Sequence, residues 1–194
     1  DEESSGSKGT HIIKNHDNYV EAVKAFKKNS SGRSIVISQY IDGEAFSTQV
    51  CITKYGIFSG GVQKQLVDSN FLCNTKISGA TRWCGGEIGG KYSDIVQHQA
   101  HEMATIVGSE LASHGYKGIF GIDLIITPDN EVYAIEINAR QTGWSFLISD
   151  LHYKQGKIPF MLLHALELGN LDYEVKDLDA LPSSSRVNTT YSLM

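Results

Sequence analysis

Three oxygen-bearing side chains in the second half of the chain have the types and the spacing of a metal site. They are Asp123, Glu136 and Asn138, and Arg140 follows two residues later. Two carboxylates and an amide carbonyl form a hard, all-oxygen ligand set that suits Mg²⁺. Such an ion keeps some waters and takes further ligands from phosphate groups, so the set suggests a nucleotide. If the strand continues, Arg140 would add a bidentate phosphate donor beside the metal.

Two predicted strands, 120–127 and 131–138, must position these residues, and the turn residues Thr-Pro-Asp-Asn at 127–130 join them. A turn centred on the Asp-Asn pair puts Asp123 directly opposite Glu136. Opposed carboxylates have Cβ atoms about 5 Å apart and repel each other unless protonation or a cation relieves them. The alternative is that Asp123 points to solvent and Glu136 pairs with a lysine, and the register alone favours neither reading.

The two faces of this hairpin are predicted to differ. Because side chains alternate along a strand, Asn138 shares the face of Glu136. The other face is expected to be apolar and to consist of Ile122, Leu124, Ile126, Tyr133, Ile135 and Ile137. The hairpin would therefore bury one face and present its carboxylates on the other.

The remaining pattern predicts an α+β chain. Helices are predicted at 17–28, 93–114, 146–151 and 159–167, and further strands at 34–40, 46–53 and 57–67. The strands are expected to form an antiparallel meander. Glycine and asparagine enrichment predicts a long loop over 68–92 whose secondary structure the sequence leaves open, and the chain ends in a polar tail.

Composition excludes several classes of function. The net charge is -5 and no dense Lys/Arg run occurs, so we expect no nucleic-acid partner. No apolar run approaches the roughly 18 residues that a membrane helix needs, so no membrane partner is expected. The 3 cysteines lack CxxC or Cys/His metal spacing and support neither a disulfide framework nor a zinc site. A reducing cytoplasm fits this composition best.

The stretch 118–143 resembles the ATP-grasp superfamily. In that family an acid on one strand is followed by Glu-x-Asn at the end of the next strand, commonly with Arg two residues after the Asn. Asp123, Glu136, Asn138 and Arg140 match this motif residue by residue. The resemblance implies that the first three bind one or two Mg²⁺ (or Mn²⁺) ions bridging the phosphates of ATP. It also implies that Arg140 contacts the phosphoryl group or the acyl phosphate.

The N-terminal segment looks like the glycine-rich loop of the same family. Its candidates are Ser5, Gly6 and Ser7, whose backbone N–H groups would close over the β- and γ-phosphates. Glycine allows the main chain to approach the ligand. Ser/Gly tracts at a terminus are also typical of disordered segments, and that alternative stays open.

A further segment resembles the hinge between the two lobes of the family, where main-chain groups contact adenine. Its candidates are Gln39, Tyr40 and Ile41, and Glu44 is the candidate for the ribose hydroxyls. The family's acid usually precedes an aromatic residue, a position that Ala45 occupies here, so a one-residue ambiguity remains. An ordinary β-turn is the alternative.

Three more residues are assigned only through this resemblance. Lys64 lies where many members place a basic phosphate or substrate contact, although a solvated strand lysine fits the sequence equally well. Ile135 is expected to contact the nucleotide. Arg82 is a candidate for a substrate carboxylate, although loop arginines are usually just exposed.

The resemblance covers roughly 4–165 and implies the ATP-grasp fold, with an antiparallel sheet lobe flanked by helices and part of the smaller N-terminal lid lobe. We expect 1–41 to belong to the small lobe, 42–181 to form the large lobe and 182–194 to be the tail. The family's phosphate-binding lysine would precede Asp1. We therefore expect a piece of a longer enzyme, with its missing N-terminal part as a partner.

The activity implied is that of a carboxylate-activating ligase. ATP would phosphorylate a small-molecule carboxylate to an acyl phosphate, which an amine, or less often a thiol, then attacks, with release of ADP and phosphate. C–N bond formation is the expectation, and a homodimer is compatible with it. The alternative is a non-catalytic nucleotide-binding or regulatory module of the same fold.

Overall fold

The structure is a computed structural model, and it describes residues 10–29, 35–67, 83–182 and 191–193. These parts form an α+β protein, as predicted. By its internal contacts the chain divides into two units, one made of Asp1–Ile41 and Val67–Cys84, the other of Asp42–Leu66 and Gly85–Met194. Within the described parts, no helix is both long and apolar enough to cross a membrane.

The helices and strands follow the predicted order closely. In chain order they are α1 (His16–Asn29), β1 (Glu44–Thr53), β2 (Gly56–Val67), β3 (Trp83–Ile88), α2 (Asp94–Ser113), β4 (Gly118–Ile126), β5 (Val132–Asn138), α3 (Ser145–Lys154), α4 (Phe160–Leu168) and β6 (Tyr191–Leu193). The predicted helices are confirmed. For α2 the cap is confirmed as well, because the hydroxyl of Ser93 accepts a hydrogen bond from Val96 N.

The strands form one sheet in the order β5-β4-β1-β2-β3-β6. The pairs β1–β2, β1–β4, β4–β5 and β3–β6 are all antiparallel. One apolar core contains residues of α2, such as Ala100 and Ala104, with Phe120 and Ile122 of β4. A second core contains residues of α3 and α4 with Ile119 of the same strand. Because neighbouring residues of a strand face opposite ways, helices cover both faces of this sheet.

The structure contradicts two predicted assignments. Residues 35–40 form no strand, because this run of apolar, β-branched residues pairs with no strand of the described sheet and stays exposed. Within the predicted loop 68–92, residues 83–88 form β3, and the predicted tail contains its partner β6. Glycine in β3 has a packing reason, since a Cβ on Gly86 would lie 2.1 Å from the Trp144 ring.

The cysteines also differ from expectation. Cys51 is free and buried in the second core. Cys84 is disulfide-bonded, so the prediction that the cysteines support no disulfide is wrong for this residue. Spacing along the chain carried no signal for this bond, because a disulfide depends on proximity in space.

The β4–β5 hairpin turns through three residues, whereas the sequence predicted a turn centred on two. Thr127 N donates to Glu131 O at 3.0 Å, Asn130 N donates to Thr127 O at 2.9 Å, and Asn130 has a φ of 65°. A turn that ends in a left-handed residue is common in three-residue hairpin loops. This loop shifts the pairing of the two strands by one residue from the predicted register.

A β-bulge in β5 compensates for that shift. Leu124 pairs with Ala134, but Asp123 pairs with Glu136, so Ile135 is an extra residue in β5. The turn and the bulge move the register by one residue each, in opposite directions. The predicted pairing of Asp123 with Glu136 is therefore confirmed, although it arises differently from the prediction.

The predicted apolar face of the hairpin is correct for β4 and wrong for β5. The buried residues of β4 on this face are Ile122, Leu124 and Ile126. Tyr133 instead pairs with Ile125 and so shares the face of Asp123, because the three-residue turn shifts the register there. Ile135 and Ile137 are exposed, since β5 is the edge strand and only part of it contacts α2.

The turn makes a direct prediction about stability. Asn130→Ala places a residue with an ordinary Cβ at a positive φ, which costs about 1 to 2 kcal/mol in the left-handed region. We expect a loss of about 1 kcal/mol in the free energy of unfolding, measured by chemical denaturation. Asn130→Gly should be close to neutral, and Asp129→Ala in the same exposed turn should stay within about 0.5 kcal/mol. Equal losses in the two alanine variants would contradict this turn geometry.

Candidate metal centre

Asp123 lies on the sheet face that α3 and α4 cover elsewhere. It pairs with Ser47 of β1, and Ser47 pairs in turn with Gln63 of β2, so these three side chains share one face. Ile119, four residues before Asp123 on that face, belongs to the core formed with α3 and α4. Along this face the sheet therefore changes from an apolar core to a row of polar side chains.

Both carboxylate oxygens of Asp123 accept hydrogen bonds from neutral amides. Gln65 Nε2 donates to Oδ1 at 2.8 Å, and Asn138 Nδ2 donates to Oδ2 at 3.2 Å. Burial raises the pKa of Asp123 above its ordinary value, while the two hydrogen bonds and the charge of Arg140 act in the opposite direction. Burial is the dominant effect, so ionisation of Asp123 is less favourable in the folded protein than in the unfolded chain.

Arg140 joins this group through Asn138. Its Nη2 donates to Asn138 Oδ1 at 2.9 Å, and its Nη1 donates to the carbonyl of Gln141 at 3.2 Å. Asn138 is buried, whereas Arg140 is exposed. The predicted residues Asp123, Asn138 and Arg140 thus form one hydrogen-bonded chain that ends in an exposed guanidinium group.

Glu136 is exposed and stands opposite Asp123 in the register of the hairpin. The sequence left open that it pairs with a lysine, but Lys64 pairs with Glu44 instead. Among the described residues, no cluster of three His, Cys, Asp or Glu side chains could hold a metal. A metal at this hairpin would need the amide oxygen of Asn138 as a third ligand.

The donor set of this hairpin fits a hard divalent cation. Two carboxylates and one amide supply only oxygen ligands, which Mg²⁺ prefers. Among the described residues, the neutral amides of Gln65 and Asn138 donate to the oxygens of Asp123, and Arg140 bonds to Asn138. The negative charge of Asp123 and Glu136 is thus available for a bound cation.

Glu44 and Lys64 are brought together, but away from Asp123. Lys64 Nζ donates to Glu44 Oε1 at 2.7 Å. Lys64 pairs with Phe46, whose side chain lies in the core formed with α2, so this ion pair is on the opposite face of the sheet from Asp123. Their predicted contacts with phosphate and ribose stay predictions.

The other predicted ligand residues are placed separately. Gln39, Tyr40 and Ile41 belong to the first unit, where Lys14 Nζ lies 5.5 Å from the centre of the Tyr40 ring. Ile135, the bulge residue beside Glu136, is exposed. Four candidates lie outside the described residues, namely Ser5, Gly6, Ser7 and Arg82.

Sequence reasoning missed two side chains that support the site. Gln65 donates to Asp123 and also to the Phe46 carbonyl, at 3.0 Å. Ser145 Oγ donates to Gln49 Oε1 at 2.9 Å and accepts from Thr142 N, which fastens the segment after Arg140 to β1. One signal was present, because the glutamines at 63 and 65 recur with the two-residue period of a strand and mark a polar face.

The raised pKa of Asp123 predicts a dependence of stability on pH. Stability from a group whose pKa is raised on folding is fully present below its ordinary value, here 3.8, and is lost as the pH rises through the folded-state pKa. With a chelator present, the stability of wild type relative to Asp123→Asn should therefore fall as the pH rises from 3.8 toward 7, because only the wild-type side chain ionises in this range. Chemical denaturation across this range measures it.

Asp129→Asn, in the exposed turn of the same hairpin, is the matched control. It removes the same charge from the protein without changing a hydrogen bond to the site. A wild-type stability that does not fall relative to Asp123→Asn as the pH rises would contradict the burial argument.

Comparison with known proteins agrees with the geometry. The family model described as an ATP-grasp domain matches residues 1–144. The Aspergillus clavatus carboxyaminoimidazole ribonucleotide synthase, solved with ATP, is similar with a TM-score of 0.61 and 15% identity, over 91% of this chain and 41% of that one. No curated protein matches the chain.

Two other solved structures have the same fold. One is the biotin carboxylase domain of a Hydrogenobacter thermophilus 2-oxoglutarate carboxylase, a dimer in complex with MgADP, ADP and bicarbonate. Its TM-score is 0.65 at 15% identity, over 96% of this chain and 38% of that one. The other is an L-amino acid ligase from Bacillus licheniformis, with a TM-score of 0.58 at 18% identity, over 88% of this chain and 39% of that one.

These identities are low, so the similarity to the solved structures establishes the fold alone. The chain spans about two-fifths of the length of the solved proteins, between 38% and 41% of each. The family model, in contrast, covers residues 1–144 of the 194 and so well over half of the chain. The chain belongs to the ATP-grasp family.

Proposed function

We propose that this chain carries the Mg-ATP site of a ligase that activates a carboxylate. The observation that carries the proposal is the hydrogen-bonded chain from Asp123 through Asn138 to Arg140, with Glu136 opposite Asp123. It combines an all-oxygen ligand set with an exposed guanidinium group. These two components serve the transfer of a phosphoryl group.

In this proposal Asp123, Glu136 and Asn138 hold Mg²⁺, or Mn²⁺ in its place. The bound cation supplies neutralisation of the charge on the phosphates of ATP. Arg140 is exposed and belongs to the same hydrogen-bonded chain, so its guanidinium is suited to contact the phosphoryl group in transfer. Positioning and charge stabilisation supply most of the catalysis in phosphoryl transfer.

The reaction proposed for the whole protein has two steps. The bond between the γ-phosphorus of ATP and its bridging oxygen breaks as a carboxylate oxygen bonds to that phosphorus, which gives ADP and an acyl phosphate. An amine, or less often a thiol, then attacks the acyl carbon, and phosphate leaves. A Bacillus licheniformis L-amino acid ligase of the same fold supports C–N bond formation as the product chemistry.

The partners of this site are proposals of the same kind. They are a small-molecule carboxylate, an amine and the remainder of a longer protein, since the chain spans about two-fifths of similar solved chains, 38% to 41% of each. The grouping of Asp1–Ile41 in the first unit supports a small lobe over 1–41. A homodimer is supported by the dimeric biotin carboxylase domain among the similar structures.

A nucleotide-binding module without turnover is the second candidate. Loss of the metal ligands or of the phosphate-contacting arginine is the change that would favour it. This chain has the residues proposed for both roles, and hydrogen bonds join Asp123, Asn138 and Arg140. We therefore favour the ligase.

The nucleotide site predicts a metal-dependent gain in stability. At about 100 times its dissociation constant, Mg-ADP should add about 2.7 kcal/mol to the free energy of unfolding. Thermal unfolding of the full-length protein with Mg-ADP, and with ADP plus chelator, measures the gain. Glu136→Ala should abolish it, whereas Glu131→Ala, which removes another exposed carboxylate of the same hairpin, should retain it. A wild-type protein that shows no gain would refute the site.

A hydroxamate assay with an Arg140 variant distinguishes a ligase from a nucleotide-binding module without turnover. With ATP, Mg²⁺ and a panel of carboxylates, hydroxylamine in place of the amine traps an acyl phosphate as a hydroxamate, which is measured directly. Arg140→Met should lower the rate of hydroxamate formation by a factor on the order of 100 to 1,000, as loss of a transition-state donor does elsewhere. The gain in stability with Mg-ADP should largely persist. Mg-ADP binding without hydroxamate from any carboxylate would favour the module.

A further inference from the structure

We propose that Gln65 is a positioning residue that presents Asp123 to the cation. This inference rests on the proposed function, because it concerns the same metal site. Gln65 is not itself a proposed ligand of the cation, and in this proposal it acts on the cation through Asp123. Its contribution should appear in metal affinity before it appears anywhere else.

The geometry of Gln65 shows how it restrains Asp123. Its single amide nitrogen donates to the Phe46 carbonyl at 3.0 Å and to Asp123 Oδ1 at 2.8 Å. An amide nitrogen has two hydrogens, so these bonds use both of its donors. The bond to the main chain of β1 fixes the nitrogen, and the fixed nitrogen then fixes Oδ1.

The two bonds span three neighbouring strands. Gln65 is on β2, the carbonyl it contacts is on β1, and Asp123 is on β4. Adjacent strands lie about 4.8 Å apart, so a side chain on β2 must cross β1 to reach Asp123. Glutamine has the length for this crossing, and asparagine is one methylene shorter. The side chain is half-buried, which shields both bonds from competing water.

The two carboxylate oxygens of Asp123 have different partners and therefore different proposed roles. Oδ1 is held by Gln65, and Oδ2 faces the amide of Asn138, which is the third member of the ligand set. Asp123 is thereby held in the rotamer that directs Oδ2 toward Asn138. Partners of metal ligands commonly orient them in this way, and their loss lowers metal affinity about 10- to 100-fold.

A purely structural role makes a different prediction. Since Gln65 also links the side chain to β1, its loss could lower the stability of the sheet without changing the metal site. Gln99, on α2, offers a matched control because it also bonds to the β4–β5 hairpin. Its Nε2 donates to Asn130 O at 2.9 Å and its Oε1 accepts from Val132 N at 3.1 Å, so it makes two hairpin bonds and contacts no proposed ligand.

The test is the affinity for Mg²⁺ at a fixed, saturating concentration of ADP, measured by calorimetric titration on the full-length protein. The variants are Gln65→Met, which keeps length and loses both donors, Gln65→Asn, which keeps the amide and loses the reach, and Gln99→Met. Chemical denaturation without ligand gives the stability of each. We expect the Mg²⁺ dissociation constant to rise about tenfold or more in both Gln65 variants and to stay within about twofold in Gln99→Met.

Each outcome decides between these alternatives. Gln65 variants that lose stability but bind Mg²⁺ as wild type does would overturn the inference, as would equal weakening by Gln99→Met. If a Gln65 variant fails to fold, the other variant at that position supplies the comparison. A wild-type protein that binds no Mg²⁺ with ADP would instead refute the proposed function, which keeps the two failures distinct.

Discussion

The site depends on one physical constraint, a carboxylate withdrawn from water whose two oxygens accept hydrogen bonds from neutral amides. Burial raises the pKa of Asp123, and two amide hydrogen bonds offset part of that effect. A carboxylate in this state gains more from a bound cation than an exposed one does, because water screens it less. The hairpin places a second carboxylate, Glu136, opposite the first. The arrangement is unfavourable on its own, and the divalent cation of the proposed function would relieve it if the two side chains shared that cation.

The surrounding sheet provides a polar position for the carboxylate of Asp123. Helices cover both faces, but the apolar core under α3 and α4 gives way to a polar row near Asp123. Gly121 pairs with Asn138, and its lack of a side chain lets the segment after Asn138 approach the sheet closely. A Cβ there would lie 2.7 Å from Thr142 Cγ2 and 2.9 Å from Gln49 Nε2. The segment that carries Arg140 is thus packed directly against the strand that carries Asp123, which explains why charge and guanidinium stay close.

Local patterns in the sequence predicted the helices, most strands and the pairing of Asp123 with Glu136, because periodicity and turn chemistry are local signals. The predictions that failed concern features that depend on contacts between residues distant in the sequence. The β-branched run at 35–40 pairs with no strand of the described sheet, and Gly86 of β3 is explained by packing against Trp144. The bulge at Ile135 had no sequence signal, since nothing local distinguishes an extra residue in an edge strand. The role of Gln65 depends on a crossing of three strands, which composition and spacing do not encode.

The orientation of one amide connects the metal ligands with the arginine. Asn138 directs its NH₂ group at the carboxylate of Asp123 and its oxygen at Arg140. Its two partners fix this orientation, because the opposite one would set acceptor against acceptor and donor against donor. An amide ligates a cation only through its oxygen, so the atom that would serve the proposed cation is the one that accepts from Arg140. Since an amide oxygen has two lone pairs, this single atom connects the proposed metal ligands with the proposed phosphate contact.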